Sequence, residues 1–166
     1  MIEVGIEIER KYLVLDEPCR GSARSSTRIF QAYFARTPLL RGRIRVIGDK
    51  AFIGLKSSSS LKRHEFEYEI PKRDAWDIIR EFNIEPIIMK TRYAITYRDK
   101  PWVIDVFEGA NEGLVLAEVE LRHENEVPEL PPWAGKEVTH DHRFGNSSLA
   151  RYPFASWKYD EVFRAE

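Results

Sequence analysis

Hydrophobic and polar residues alternate with a period of two along most of this chain, which is the pattern of β-strands that bury one face. The clearest case is the range 63–70, where glutamates at positions 65, 67 and 69 alternate with aromatic and aliphatic residues. Similar alternation predicts further strands at residues 5–14, 28–36, 43–47, 51–56, 89–97, 102–107 and 114–122. The pattern therefore predicts about eight strands.

Helical periodicity is confined to a few segments. In 74–82, apolar residues at 75, 78, 79 and 82 follow the spacing of an amphipathic helix. The ranges 147–152 and 155–165, separated by Pro153, are predicted to be terminal helices. Residues 124–145 are rich in proline and turn formers, and we expect them to wrap over an end of the sheet.

The connections between the predicted strands are mostly short, which favours a mainly antiparallel sheet. About eight strands are enough to close a barrel around a small ligand. No linker or low-complexity tract interrupts the pattern, so we expect 1–166 to be a single domain.

Composition and charge limit the functional class. With 26 basic and 27 acidic residues the formal net charge is −1, so no overall field favours nucleic acid or an anionic membrane as a partner. No apolar run approaches the roughly 20 residues of a membrane span. Cys19 is the only cysteine, which excludes an intrachain disulfide and favours a cytoplasmic location. We expect a monomer or a homodimer.

Charged residues follow the polar faces of the predicted strands, mostly as same-sign pairs. The acidic sets are Glu7 with Glu9, Glu65 with Glu67 and Glu69, Asp105, and Glu118 with Glu120; the basic sets are Lys11, Arg43 with Arg45, Lys56, and Lys90 with Arg92. Each set taken alone is consistent with the solvated face of an antiparallel sheet. Like charges at i, i+2 repel each other, however, and the sign changes from strand to strand. We therefore favour the alternative in which these faces line the inside of a barrel.

Buried charges in this number need compensating partners, because an unpaired charge shifts its pKa or costs several kcal/mol. The basic set suits a compact polyanion, since arginine binds phosphate oxygens in a bidentate way. The carboxylates occur without clustered histidine or cysteine, which suits a hard divalent ion such as Mg²⁺ or Mn²⁺. A polyphosphate with one or two such ions would satisfy both sets.

The segment Glu7-Ile8-Glu9-Arg10-Lys11 resembles the ExExK signature of the CYTH superfamily, the triphosphate tunnel metalloenzymes. The likeness continues in order through Arg43-Ile44-Arg45, Leu55-Lys56, Arg63-His64-Glu65-Phe66-Glu67, Lys90-Thr91-Arg92-Tyr93, Ile104-Asp105-Val106-Phe107 and Ala117-Glu118-Val119-Glu120. The resemblance implies a closed eight-stranded antiparallel β-barrel that hydrolyses or cyclises triphosphates with Mg²⁺ or Mn²⁺. The predicted fold class is therefore mainly β (α+β), with a few flanking and C-terminal helices.

The resemblance also implies roles for individual residues. It implies metal binding by Glu7, Glu9, Glu118 and Glu120, with Glu65, Glu67 and Asp105 as further candidates. It implies phosphate binding by Lys11, Arg43, Arg45, Lys56, Lys90, Arg92 and Arg143. The predicted catalytic set is Glu7, Glu9, Lys11, Glu118, Glu120 and Tyr33. Two alternatives stay open, since Tyr33 either hydrogen-bonds Lys11 or only lines the barrel, and Arg143 is otherwise a surface arginine on a loop.

Within the superfamily, Pro131-Pro132-Trp133 followed by Glu137-Val138-Thr139 resembles short bacterial inorganic triphosphatases. The expected reaction is hydrolysis of tripolyphosphate to pyrophosphate and phosphate. Gly54 and the serines at 57–60 depart from the family pattern where substrate selectivity could change. Cyclisation of ATP, hydrolysis of thiamine triphosphate or a nucleoside triphosphate, and non-catalytic polyphosphate binding are the alternatives.

Overall fold

The structure, a computed structural model, describes residues 5–15, 23–57 and 62–157. The strands in these ranges are β1 Gly5–Val14, β2 Ser25–Arg36, β3 Leu40–Ile47, β4 Lys50–Ser57, β5 Lys62–Ile70, β6 Ile87–Tyr97, β7 Lys100–Phe107, β8 Val115–Glu120 and β9 Ala134–Glu137. The helices are α1 Lys72–Glu81 and α2 Asn146–Arg151, with 3-10 turns at Gly109–Asn111, His142–Phe144 and Phe154–Ser156. The eight long strands match the predicted ones, and no bound differs by more than three residues.

The strands form one antiparallel sheet in the order β5-β4-β3-β2-β6-β7-β8-β1-β9. β1 pairs with β8 over Glu9–Leu13 and with β5 over Gly5–Ile8. Because β5 stands at the far end of the order, its pairing with β1 joins the ends of the sheet and closes eight strands into a ring. The predicted closed, eight-stranded antiparallel barrel is confirmed.

The short strand β9 falls within 124–145, the segment predicted to wrap over an end of the sheet, in which no strand was predicted. β5 covers one edge of β1 along its first half only, and β9 pairs with the rest of that edge at Tyr12 and Val14. The carbonyl of Lys11 then accepts a hydrogen bond from the backbone N of Val138 at 2.8 Å. β9 therefore pairs with a strand edge that β5 leaves open. A strand of four residues is too short for its alternation to be recognised in the sequence.

Helix α1 packs on the outer face of β3 and β4. Ala75 and Ile79 are buried there, as the helical spacing predicts. The prediction that Phe82 shares this buried face is wrong, since that residue is 73% exposed. The helix ends one residue earlier, so helical spacing no longer sets the direction of this side chain. Trp76 instead packs edge-on against Phe30, with ring centroids 5.4 Å apart.

Hydrophobic packing covers the outside of the barrel in two places. One cluster lies beneath α1. The other surrounds Trp102, whose ring centroid lies 5.7 Å from that of Tyr12 and 5.4 Å from that of Trp133. The outward strand faces are thus apolar and largely covered by these two clusters, with Phe34 and Tyr68 partly exposed, and the inward faces carry the charged residues.

A third hydrophobic cluster closes one end of the barrel from inside. Ile88 lies two residues before Lys90 and therefore shares its inner face. Leu116 belongs to the same cluster, and Phe144 and Leu149 from the C-terminal segment pack against both strands. This segment, residues 142–151, forms an apolar plug at that end.

Some predictions fall at or beyond the described ranges. The predicted helix at 147–152 is confirmed as α2. For the predicted helix at 155–165, the described part is a 3-10 turn followed by an extended Trp157, so no α-helix starts there, and the remainder lies outside the described residues. Cys19 also lies outside them, and the single domain over 1–166 stays a prediction. Within the described ranges, no helix is both long and apolar enough to cross a membrane.

Replacing Trp102 by alanine should lower the free energy of unfolding by about 3–5 kcal/mol, because the indole is 1% exposed and packs against two aromatic rings. Urea denaturation followed by circular dichroism measures the change. The matched control is Phe82→Ala, which should change stability by less than about 0.5 kcal/mol. Equal losses for the two variants would contradict this location of the core.

Candidate active site

The middle of the barrel contains a polar cavity of about 60 Å³, which we call the inner cavity. All six strand cations predicted to bind phosphate line it, namely Lys11, Arg43, Arg45, Lys56, Lys90 and Arg92. The other lining residues are Glu7, Glu9, Ile29, Gln31, Glu118 and Asn146. The structure therefore brings the predicted basic residues together with three of the predicted acidic ones.

The pairing of β1 with β8 explains this convergence. Glu9 faces Glu120 directly across the two strands, and Lys11 faces Glu118. Directly opposed residues of an antiparallel pair point to the same face, here the inner one. Tyr12, which alternates with them, is buried in the outer cluster. Period-two alternation thus sorts charge to the inside and apolar side chains to the outside.

Lys11 lies between two carboxylates. Its Nζ is 2.9 Å from Oε1 of Glu9 and also donates to Oε1 of Glu118. Oε2 of Glu118 accepts a further hydrogen bond from Arg92 at 2.9 Å. Burial alone would raise the pKa of Glu118, but Lys11, Arg92 and Lys90 hold it well below its usual range. Glu118 is therefore a buried anion stabilised by surrounding cations.

Asp105 is fully buried and neutralises two other cations. Its Oδ2 accepts from Lys90 Nζ at 2.5 Å, and its two oxygens accept from Arg92 at 2.7 Å each. Burial lowers the pKa of Lys90 to about 8, although the attraction of Asp105 opposes this shift. Burial would also lower the pKa of Arg92, but Asp105 reverses the effect and raises it. Asp105 thus holds both basic side chains at the inner cavity, and its role as a metal ligand stays a prediction.

Glu65 and Glu67 serve as counter-ions for the cations of β3 and β4. Arg43 donates to Glu65 at 2.8 Å and to Glu67 at 3.3 Å, while Arg45 contacts both oxygens of Glu67 at 2.5 and 2.7 Å. Lys56 lies 3.0 Å from Glu65. Burial, with repulsion from the neighbouring guanidinium, lowers the pKa of Arg45. These contacts leave metal binding by the two glutamates a prediction.

Gly54, a departure from the family pattern, lies directly beneath Arg43. The two residues face each other in the β3–β4 ladder, and a Cβ at Gly54 would lie 3.4 Å from Nε of Arg43. That Nε and the Nε of Arg45 are buried without a hydrogen-bond acceptor in the described part of the chain. Two arginines at the inner cavity therefore retain an unused donor.

The acidic donor set fits a hard divalent ion in chemical type. Glu9 and Glu120 are directly opposed like charges, an arrangement that is destabilising unless a cation lies between them. Glu120 is exposed and has no ion pair with any other described residue. Across residues 5–15, 23–57 and 62–157, no three acidic, histidine or cysteine side chains are already arranged to hold a metal. The carboxylates are suitable ligands for a divalent ion by their chemistry, and most of them form ion pairs with lysines and arginines in this structure.

A second, larger cavity of about 210 Å³ lies between the plug and β3–β4, and we call it the outer cavity. It shares Glu9, Lys11, Arg43, Lys56 and Asn146 with the inner cavity and adds Tyr33, Arg41, Ser57, Thr139, Asp141, His142, Gly145, Ser147 and Ser148. The sequence interpretation misses most of these additions. Arg41 was detectable, because it lies two residues before Arg43 and shares its strand face. The residues of the plug carry no local signal, since only the folded chain brings them there.

Two predicted residues occupy positions that leave their roles open. Tyr33 lines the outer cavity opposite Arg43, and its hydroxyl lies 3.5 Å from Nε2 of Gln31. Arg143 is bound to Asp141, with 2.6 Å between Nη2 and Oδ2, and lies 5.3 Å from the ring of Trp157. Among the described residues that line the two cavities, Arg143 is not included. Contact of Tyr33 with Lys11 and of Arg143 with substrate both stay predictions.

Comparison with known proteins gives consistent results. A family model described as CYTH domain matches residues 5–152. The chain is 38% identical over 156 residues to the inorganic triphosphatase of Acetivibrio thermocellus. The matched region covers 93% of this chain and 99% of the relative. The chain is 34% identical over 151 residues to the inorganic triphosphatase of Nitrosomonas europaea, covering 87% and 96%. The crystal structure of the inorganic triphosphatase NE1496 superposes with a TM-score of 0.64 at 33% identity, over 87% of this chain and 93% of that one.

Replacing Asp105 by asparagine should destabilise the fold by about 3–5 kcal/mol, because two buried cations lose their shared counter-ion. Chemical denaturation in urea measures the loss. Glu69→Gln is the control, since Glu69 and its partner Lys50 are both more than half exposed and such pairs contribute little. A loss for Asp105→Asn no larger than that of the control would show that this buried network is not what holds the strands.

Proposed function

This chain belongs to the CYTH domain family, and on that premise we propose that it hydrolyses inorganic triphosphate inside the barrel. The observation that carries the proposal is the convergence of six basic side chains, from four different strands, on the inner cavity. Linear triphosphate is compact and highly anionic, and this set of cations matches it in charge and in hydrogen-bond donors. The names of the curated relatives, at 38% and 34% identity, agree with this choice of substrate.

The cations are oriented before substrate arrives. Each of them is held by a carboxylate partner, so the side chains need little rearrangement before they donate to phosphate oxygens. The unused Nε donors of Arg43 and Arg45 add hydrogen-bonding capacity at the same place. Such preorganised charge is the main contribution a protein can make to phosphoryl transfer.

We assign the divalent ion, Mg²⁺ or Mn²⁺ and one or two in number, to Glu9, Glu118 and Glu120, with Glu7 beside them. When bound, the ion supplies positive charge that neutralises phosphate oxygens and activates a water for attack. Lys11 links the two sets of groups, because it contacts both Glu9 and Glu118. As those carboxylates turn to other partners, its Nζ becomes available to the substrate.

In the proposed reaction, a water oxygen forms a bond to a terminal phosphorus while the anhydride bond to the neighbouring phosphate breaks. Pyrophosphate leaves, and a carboxylate oxygen of the acidic group accepts the proton of the water. The strand cations hold the chain in line and stabilise the charge on the leaving group. A cytoplasmic location and the lack of nucleic-acid or membrane partners are part of the proposal, as is a monomeric or homodimeric state.

The purified protein should release phosphate from tripolyphosphate faster than from ATP or thiamine triphosphate, because the described cavity walls offer mainly charged and hydroxyl groups. A phosphate-release assay with Mg²⁺ and with Mn²⁺ measures this, and addition of EDTA should stop the reaction. Faster phosphate release from ATP or thiamine triphosphate would show that inorganic triphosphate is not the preferred substrate. The absence of metal-dependent release from all three would refute the enzyme assignment.

Glu9→Gln and Glu120→Gln should each lower kcat for tripolyphosphate roughly a hundredfold or more, because both remove a charged oxygen from the acidic group. Far-UV circular dichroism should show an unchanged fold. The matched control is Glu69→Gln, whose carboxylate is exposed and paired with Lys50, and it should keep the parent rate. Continued metal-dependent hydrolysis by a variant with glutamine at 9, 118 and 120 would contradict the assigned roles.

A further inference from the structure

The plug contributes one side chain to the inner cavity, the amide of Asn146 in α2. All the other described residues that line this cavity lie on strands of the barrel. Asn146 also lines the outer cavity, so it lies where the two cavities meet. Phe144 and Leu149, which flank it in the sequence, are buried in the apolar cluster that closes this end of the barrel. Their packing holds the amide in place.

The Asn146 amide differs in kind from most of its neighbours. Apart from Ile29, the described lining of the inner cavity is ionic except for two amides, those of Asn146 and Gln31. The lysines and arginines are donors, but each is already tied to a carboxylate. A neutral amide donates hydrogen bonds without a charge that needs compensation. It can therefore bind an anion without first releasing a counter-ion.

Lys90 fixes the orientation of this amide. Nζ of Lys90 lies 3.3 Å from Oδ1 of Asn146. An ammonium group donates hydrogen bonds and cannot accept them, so the amide oxygen faces Lys90 and the NH₂ group is turned away from it. Within residues 5–15, 23–57 and 62–157, Nδ2 of Asn146 has no hydrogen-bond acceptor. Its donors are available to a ligand in the cavity.

Lys90 has an unused donor beside this amide. Of the three N–H groups of its ammonium, one is directed to Asp105 at 2.5 Å and one to Asn146. No other acceptor contacts Nζ among the residues that the structure describes. The side chain is 2% exposed, so it does not turn towards bulk water. The remaining N–H of Lys90 and the NH₂ group of Asn146 are thus neighbouring donors on one part of the cavity wall.

We propose that Asn146 is a substrate-binding residue, whose NH₂ group and the Lys90 ammonium donate to two oxygens of the same phosphate group. A tetrahedral phosphoryl group presents several oxygens and suits such a pair of donors. The inference rests on the proposed function for the identity of the substrate. It goes beyond that function because it makes the plug, which otherwise only closes the barrel end, a direct part of the site.

Steady-state phosphate release from tripolyphosphate with Mg²⁺, measured on the full chain, tests this role with two substitutions. Asn146→Ala removes the amide and should raise KM about tenfold or more, the size expected for a lost hydrogen bond to a charged group, with kcat within about threefold. Asn146→Asp keeps the shape and the acceptor for Lys90 but puts a negative charge beside the substrate. It should raise KM at least as much as alanine does.

A role limited to orienting Lys90 predicts a different result, because aspartate would hold the ammonium at least as well as asparagine. Asn146→Asp would then keep the parent KM, and that outcome would overturn the inference. The matched control is Asn83→Asp, which makes the same change of charge at an exposed residue beyond α1 and should leave KM unchanged.

Thermal unfolding followed by circular dichroism should show that both Asn146 variants are folded. If Asn146→Asp does not fold, Asn146→Ala decides, and a parent-like KM for that variant would overturn the inference. In either case hydrolysis by the parent protein would stand, so the proposed function would be unaffected. A parent protein without metal-dependent hydrolysis would refute the proposed function and, with it, the inference.

Discussion

A charged side chain that leaves water loses several kcal/mol of hydration unless an opposite charge replaces it. In this barrel the replacement comes across strand boundaries, from Glu118 to Lys11, from Asp105 to Lys90, and from Glu67 to Arg45. These pairs join different strands, and a further pair, Lys56 with Glu7 at 2.7 Å, links β4 to β1 across the β1–β5 seam that closes the ring. Charge compensation inside the barrel therefore also supports its closure.

This requirement decides where hydrophobic residues can go. Because charged side chains occupy the inner faces, the apolar faces of the strands must be covered from outside. Helix α1 and the cluster around Trp102 provide this cover. The plug formed by residues 142–151 is the exception, since it meets apolar inner positions at one end, where the charged rows have stopped. The barrel thus has apolar packing on its outside and at one end, and its centre is lined by charged side chains.

Strand alternation predicts a large part of this arrangement because the period of two is a local property of the sequence. It predicts the eight long strands, their inward charges and, with the family resemblance, the closed barrel. It does not predict β9, which pairs with an edge left open by β5, or the outward direction of Phe82, which depends on where α1 ends.

The missed part of the site has the same physical origin. Arg41 shares the strand face of Arg43 and could be inferred from spacing, whereas Ser147 lies 106 residues further along the chain and reaches Arg41 only through the plug. Individual roles are also beyond the strand pattern. Glu9 and Glu120 are opposed without a basic residue between them in the ladder, while Glu65 and Glu67 are already bound to arginines. Alternation places all four on an inner face and does not distinguish them.

Strand β1 changes partner halfway, from β5 along its first half to β9 along its second, with β8 on the opposite edge. It is both the seam at which the cylinder is sealed and the strand that bears Glu7, Glu9 and Lys11. Opening of the pairing between β1 and β5 would separate the acidic residues of β1 from the cations of β3 and β4, including Lys56, which is paired with Glu7. A chain whose barrel has not closed would therefore be inactive, and activity would appear only when the barrel closes.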